Sequence, residues 1–297
     1  MSHIRSFTAA MVASAGIGLA YSLWEARQYT LRRFDVPVLA AGERPLRVLH
    51  LSDLHLTPDQ VAKREWVRRL AALEPDLVID TGDNLAHTDA VPWVLDALEP
   101  LLDTPGAFVM GSNDYYGPVL KNPVRYFNPA LPRVYGRPLP WTDLRDGLTA
   151  SGWLDLDNAR TTLKVGHRTI ELVGVDDPHL RRDRYDEVGG TVDPTADLSI
   201  GVTHAPYRRV VKAMANDGVP LVLAGHTHGG QLCVPGWGAL VTNCDLPVRQ
   251  AKGLSRVAGS SDQSWLHVSA GLGCSPYTPV RFACRPEATL LTLVPRD

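Results

Sequence analysis

Leu46-Arg47-Val48-Leu49-His50-Leu51-Ser52-Asp53-Leu54-His55 sets the pattern for the whole chain. Leu46–Leu51 is a short apolar run, the mark of a buried strand, and it feeds a loop that begins at Ser52-Asp53. Residues i and i+2 of an extended segment project the same way, so Asp53 and His55 can hold one ion. The same arrangement recurs along the chain. A strand at 76–80 leads to Thr81-Gly82-Asp83, and one at 107–110 leads to Gly111-Ser112-Asn113-Asp114. A strand at 198–203 ends on His204, and one at 219–224 ends on Gly225-His226-Thr227-His228. Asp83 follows a tight turn at Gly82 and can bridge two ions through its two oxygens. His226 and His228 repeat the i, i+2 spacing, with Gly225 permitting close backbone approach. Taken singly, each Asp or His reads more simply as a turn aspartate or a satisfied core histidine. The ordered set argues instead for one cleft holding two divalent cations, which favour mixed O and N ligands.

Between these strands lie amphipathic helices. Val61, Trp66, Val67, Leu70 and Leu73 form an apolar face over 61–73, and Pro75 ends it. Further helices are predicted near 90–101, 142–151 and 207–216. Strands are predicted near 162–165, 169–175, 265–270 and 288–294. Alternating strands and helices, with more strands late in the chain, predict an α/β layered domain. Such sheets place ligands at the C-terminal ends of their strands. The rhythm breaks at 115–141, where six prolines from Pro118 to Pro140 alternate with Tyr115, Tyr116, Tyr126, Phe127, Tyr135 and Trp141. That is too long for an ordinary connection, and it predicts either a functional cap or a surface excursion.

The 297 residues are 44% hydrophobic and 21% charged, which supports a real core. A net charge of -2 gives no whole-chain attraction to nucleic acid, and no specific nucleic-acid binding is expected. Cys233, Cys244, Cys274 and Cys284 contain no CxxC pair, so a zinc knuckle is not expected, and free buried thiols are the simpler reading than disulfides. The 19 residues between Arg5 and Glu25 carry no charge, about the length that spans a bilayer. With Arg27, Arg32 and Arg33 behind them, a span would leave the large domain in the cytoplasm. The expectation is membrane association through residues 1–25. The alternative is a helix packed on a soluble cytoplasmic domain. The division read from sequence is an N-terminal hydrophobic helix and linker over 1–43 and one domain over 44–297.

The series Asp53-x-His55, Gly82-Asp83, Gly111-x-x-Asp114, His204 and Gly225-His226-x-His228 resembles the calcineurin-like metallophosphoesterases, from about residue 44 to 294. Gly225 to Gln231 is similar to a subgroup of small bacterial, often membrane-linked members. The resemblance implies two β-sheets flanked by helices, a four-layer sandwich. It implies one divalent ion on Asp53, His55, Asp83 and His228. A second would lie on Asp83, an Asn of the third motif, His204 and His226. Mn, Fe, Zn or similar metals are implied.

The third motif departs from the family's Gly-Asn-His-Asp or Gly-Asn-His-Glu. Without a gap, Ser112 stands for the ligand Asn and Asn113 for the catalytic His. With a one-residue shift, Asn113 is the ligand and Asp114 takes the histidine's position. The carbonyl of Asn113 suits a divalent ion better than a Ser hydroxyl, which favours Asn113. Asp83, Asn113, Asp114 and His204 are therefore the expected catalytic set. His179, in Asp176-Asp177-Pro178-His179, can replace the missing acid or simply close a turn. Arg181, Arg182 and Arg184 can hold a phosphate head group or stay solvated. The expected activity is hydrolysis of a phosphodiester or pyrophosphate ester, lipid- or nucleotide-linked, by hydroxide held between two metals. Alternatives are a soluble cyclic-nucleotide phosphodiesterase and a metal-retaining binding protein.

Overall fold

A computed structural model describes residues 2–120, 134–257 and 264–296. Two six-stranded sheets carry the domain. The first contains β1 (Thr30–Leu39), β2 (Leu46–Leu51), β3 (Leu77–Asp80), β4 (Gly106–Phe108), β5 (Leu154–Asp155) and β14 (Glu287–Pro295), in the order β1-β14-β2-β3-β4-β5. The second contains β6 (Ala159–Val165), β7 (Arg168–Val175), β8 (Leu198–Thr203), β9 (Leu221–Ala224), β12 (Gly253–Val257) and β13 (Ser264–Val268), in the order β12-β13-β9-β8-β7-β6. β2 to β5 run parallel, as do β7, β8, β9 and β13. β14 enters antiparallel to β2, and β6 and β12 edge the second sheet antiparallel. A short ribbon pairs β10 (Cys233–Val234) with β11 (Gly238–Ala239).

Strands covered on both faces must be apolar throughout, and β3, β8 and β9 are buried at every residue. Val48, Ile79 and Ala107 of the first sheet pack with Leu172, Ile200, Val202 and Leu223 of the second. On the first sheet's outer face, Leu49, Leu51, Val78 and Phe108 meet α2 (Val61–Arg68), α3 (Val91–Leu98) and α5 (Trp141–Ala150). On the second sheet's outer face, Val173, Val222 and Val268 meet α7 (Arg208–Asn216). The result is a helix–sheet–sheet–helix sandwich, the fold class expected from sequence.

One polar strut crosses between the sheets. His50 Nδ1 lies 2.9 Å from His267 Nδ1, and His50 Nε2 lies 3.0 Å from Thr81 Oγ1. Burial holds both rings neutral, pushing His267 down to about 3 and His50 well below the usual range.

Three expectations change. Thr30–Leu39, read as linker, is an edge strand whose Arg32, Arg33 and Asp35 face water while Val36, Val38 and Leu39 are buried. It pairs with β14 from the far end of the chain, a long-range partner that local patterning cannot reveal. The predicted 61–73 helix ends at Arg68 and tightens into a 3-10 turn through Leu73. Residues 1–25 do form a helix, α1 (Ser2–Glu25), but no helix among the described residues is long and apolar enough to cross a membrane. Its Ala, Gly and Ser content dilutes the apolar length. The C-terminal end of α1 docks on the domain: Tyr21 meets Phe282 edge-on at 5.2 Å, and Arg281 N donates to Ser22 O at 3.0 Å.

The ends of the proline-rich excursion pair with each other. Gly117 N donates to Arg137 O at 2.8 Å and Leu139 N to Tyr115 O at 3.0 Å. Residues 121–133, the middle of the cap read from sequence, lie outside the described residues. The four cysteines are free thiols, Cys233 and Cys284 buried and Cys244 and Cys274 half-buried.

If β1 is part of the sandwich, Val36→Asp buries a carboxylate and should cost several kcal/mol. Arg33→Ser on the same strand should stay within about 0.5 kcal/mol. Urea unfolding of both variants decides: equal, small effects would return residues 30–39 to linker status.

Candidate metal centre

Each candidate ligand follows the C-terminal end of a strand. β2 delivers Asp53 and His55, and β3 delivers Asp83. β4 leads to the single-turn α4 (Ser112–Tyr115), β8 to His204, and β9 to His226 and His228. The loops zip together through their main chains. Asp53 N donates to Gly82 O at 2.8 Å, and His55 N to Asp83 O at 2.9 Å. Gly225 N donates to His204 O at 2.9 Å and Gly273 N to Asp53 O at 2.6 Å. Asp53, His55, Asp83, His226 and His228 all have φ between 42° and 70°. This left-handed region is costly for most residues and less so for Asp and His. The loops approach so closely that a Cβ on Gly225 would lie 1.8 Å from Ser52 Oγ, and one on Gly111 would lie 2.2 Å from Asp83 Oδ1.

Two ligand groups result: Asp53, His55 and His228, and Asp53, Asp83 and His204. His55 Nε2 lies 3.2 Å from His228 Nε2 and 3.5 Å from Asp83 Oδ2, and His228 Nε2 lies 3.7 Å from Asp53 Oδ1. Two nitrogens each about 2.0–2.1 Å from a tetrahedral ion would stand about 3.3 Å apart, so these spacings fit the edges of one coordination shell. On the other side, His204 Nε2 lies 3.4 Å from Asp83 Oδ1. One oxygen of Asp83 therefore faces each imidazole group.

The His204 tautomer fits a metal. His204 Nδ1 donates to Thr81 O at 2.7 Å, so in the neutral ring Nε2 is the nitrogen open to a metal. His204 Nε2 is buried and faces the Asp83 carboxylate. His228 Nδ1 lies 3.1 Å from Gly273 O and 3.4 Å from Arg281 Nη2. The local field is negative. Burial works against charging His204, yet Asp83, Asp177 and Asp53 hold its pKa well above the usual range. Burial also pushes Asp53 up to about 6 and Asp177 up to about 7. A field that draws a proton onto a buried imidazole also draws a divalent cation.

The other expected site residues divide. Asn113 N donates to Asp83 Oδ1 at 2.7 Å and Asn113 Nδ2 to Asp83 Oδ2 at 2.6 Å. A half-turn of that amide presents its carbonyl instead. Asp114 does not face the cleft. It is fully buried and accepts four main-chain amides, from Asp83 (2.8 Å), Asn84 (2.7 Å), Leu85 (3.0 Å) and Gly111 (2.9 Å). This corrects the shifted alignment on one point: Asp114 anchors the loop that carries Asp83 and is not placed as an acid for substrate. His226 lies outside both three-residue groups. Its ring centroid is 5.2 Å from that of His204, and its Nε2 is 3.2 Å from Asn243 O. Arg182 is bound to Asp176 at 2.7 Å, and Arg184 pairs with Glu187 at the surface at 3.4 Å.

Other supporting residues gave little sequence signal. Arg281 is fully buried and donates to the carbonyls of Ala270 (2.7 Å), Gly271 (3.1 Å) and Gly273 (2.8 Å), the loop gripping Asp53. Buried Lys63 donates to Leu54 O at 2.6 Å. The closest hint was the Gly271-x-Gly273 spacing after a predicted strand. Beside the centre lies a cavity of about 620 Å³, lined in part by Ser112, Asn113, Tyr116, Tyr135, His179 and Tyr207.

Fold and ligand cluster together define an α/β sandwich built around a candidate dinuclear metal site. The chain belongs to the calcineurin-like phosphoesterase family, whose profile matches residues 46–230. It is 26% identical over 298 residues to the metallophosphoesterase YkuE of Bacillus subtilis, covering 96% of this chain and 92% of YkuE. It is 27% identical over 295 residues to the phosphodiesterase YaeI of Escherichia coli, covering 97% and 96%. A Danio rerio transmembrane protein with a metallophosphoesterase domain is 28% identical over 281 residues, covering 87% of this chain and 56% of that protein.

Asp114→Asn would turn one oxygen acceptor into an N–H facing amide donors. It should cost roughly 3 kcal/mol, the scale of charged hydrogen bonds, and should also lower metal retention. Chemical denaturation with elemental analysis of the same sample tests both. A variant of wild-type stability and metal content would remove Asp114 from the anchor role.

Proposed function

We propose that this chain is a metal-dependent phosphoesterase acting on phosphodiesters or pyrophosphate esters. The observation that carries the reading is Asp83, with one oxygen 3.4 Å from His204 Nε2 and the other 3.5 Å from His55 Nε2, so that one carboxylate stands between the two imidazole groups. Asp53, His55, Asp83 and His228 are assigned to one ion, and Asp83, Asn113, His204 and His226 to the other. Divalent ions of the Mn, Fe, Zn or Co type would supply Lewis acidity and lower the pKa of water there. The protein's own part is positional. The Thr81 carbonyl sets the His204 tautomer, Asp114 fixes the Asp83 loop, and Asn113 stands where the cavity meets the centre.

The name of YaeI supports a diester. A cavity of about 620 Å³ has room for a sizeable ester group, lipid- or nucleotide-linked. The catalytic unit is assigned to residues 30–297, with β1 included. A membrane-surface role for α1 is a separate reading. It is supported by exposed Met11, Ile17, Leu19 and Trp24 and by the name of the Danio rerio relative. Recovery of all native protein in the soluble fraction without detergent would count against it.

Elemental analysis of chelator-free protein should show two divalent ions per chain, and chelation should abolish hydrolysis of bis(p-nitrophenyl) phosphate. Asp83→Asn should lose more than about 10³-fold of that activity, as expected when a group spanning both ions is neutralised, with its circular dichroism intact. Metal-free protein that still hydrolyses the diester would reject the proposal.

A further inference from the structure

The third motif offers Ser112, Asn113 and Asp114 and no imidazole, and Asp114 is spent on main-chain amides. Another loop brings an imidazole to the same cavity. His179 lines it together with Ser112 and Asn113, and its ring centroid is 4.4 Å from that of His226. The loop is built to hold this position. Asp177 is fully buried and accepts His179 N at 2.9 Å and Leu180 N at 3.2 Å. The ring is held as well, because Tyr207 Oη, on the same cavity wall, stands 3.1 Å from His179 Nδ1. When the phenol donates to Nδ1, the ring hydrogen resides on Nε2, which is then an N–H donor.

We propose that His179 binds the leaving-group oxygen of the substrate, supplying from the 176–180 loop the contact that the third motif lacks. Tyr207 is its positioning residue. The proposal rests on the phosphoesterase reading above. In the reaction a water-derived oxygen forms a bond to phosphorus, and the bond from phosphorus to the leaving oxygen breaks. The electron pair goes to that oxygen. The Nε2–H of His179 hydrogen-bonds to it as its charge develops, and the hydrogen that finally caps it comes from water. A donor placed where charge develops is worth most when the leaving group is poor. A turn histidine with no part in the reaction would show no such dependence.

The test compares wild type, His179→Ala, His179→Asn and Tyr207→Phe on two methyl aryl phosphodiesters, one with a p-nitrophenyl and one with a phenyl leaving group. Metal content is measured on every sample. His179→Ala should lower kcat/KM for the phenyl ester by about 10²-fold and for the nitrophenyl ester by less than about 5-fold, the weaker demand of a good leaving group. His179→Asn, which keeps an N–H donor, should recover part of the loss. Tyr207→Phe should show the same leaving-group bias at smaller size. All variants should keep wild-type metal content. Equal loss on both esters, or loss of metal in the His179 variants, would overturn the proposal and leave His179 as a support for His226. If fully metallated wild type cleaves neither ester, the phosphoesterase reading fails and this inference falls with it; that result is distinct from the other two.

Discussion

Asp53, Asp83, Asp114 and Asp177 are all withdrawn from water around one small volume, and their mutual repulsion is the constraint under which this fold is built. A buried carboxylate is tolerable only when fixed donors or cations replace its hydration. Each of the four has its own arrangement. Asp114 takes four amides, and Asp177 takes the amides of its own turn. Asp53 takes the Ser52 hydroxyl at 2.5 Å and the His226 amide. Asp83 takes Asn113 and the facing imidazoles, and His204 and His55 hold its pKa well below the usual range in spite of burial. The negative charge left over is the electrostatic case for cations at this point.

Neither sheet could assemble this volume alone. The first contributes Asp53, His55, Asp83 and Asn113, and the second contributes His204, His226, His228 and the loop of Asp177 and His179. The parallel order of the central strands puts all their C-terminal ends on one edge of the sandwich. Packing between the sheets therefore sets distances at the centre. The strut from His267 through His50 to Thr81 makes the link specific, since the carbonyl of Thr81 receives His204 Nδ1. A side chain in the interior thus bears on the orientation of a ligand.

The candidate ligands are legible in the sequence because each follows an apolar strand, and strand ends are local information. β2 and β8 fall where the apolar runs place them. What stayed hidden depends on distant partners. β1 is recognisable only once β14 is beside it. The anchoring role of Asp114 requires knowing that the amides of residues 83–85 converge on it. Arg281 looks like an ordinary charged residue until the carbonyls of the Ala270–Gly273 loop surround it. For residues 1–25 the lack of charge points to a span, but the modest apolarity of the Ala, Gly and Ser side chains leaves the helix short of one.

The left-handed backbone at Asp53, His55, Asp83, His226 and His228 has a consequence for how this chain can change. At each of these positions glycine would relax the main chain, at a gain of up to about 1 kcal/mol where the conformation suits it. Folding and chemistry therefore pull in opposite directions at the same five residues. Selection for thermal robustness alone would dismantle the ligand set before it touched the sandwich. A descendant released from its reaction would keep the architecture and lose the imidazoles and carboxylates.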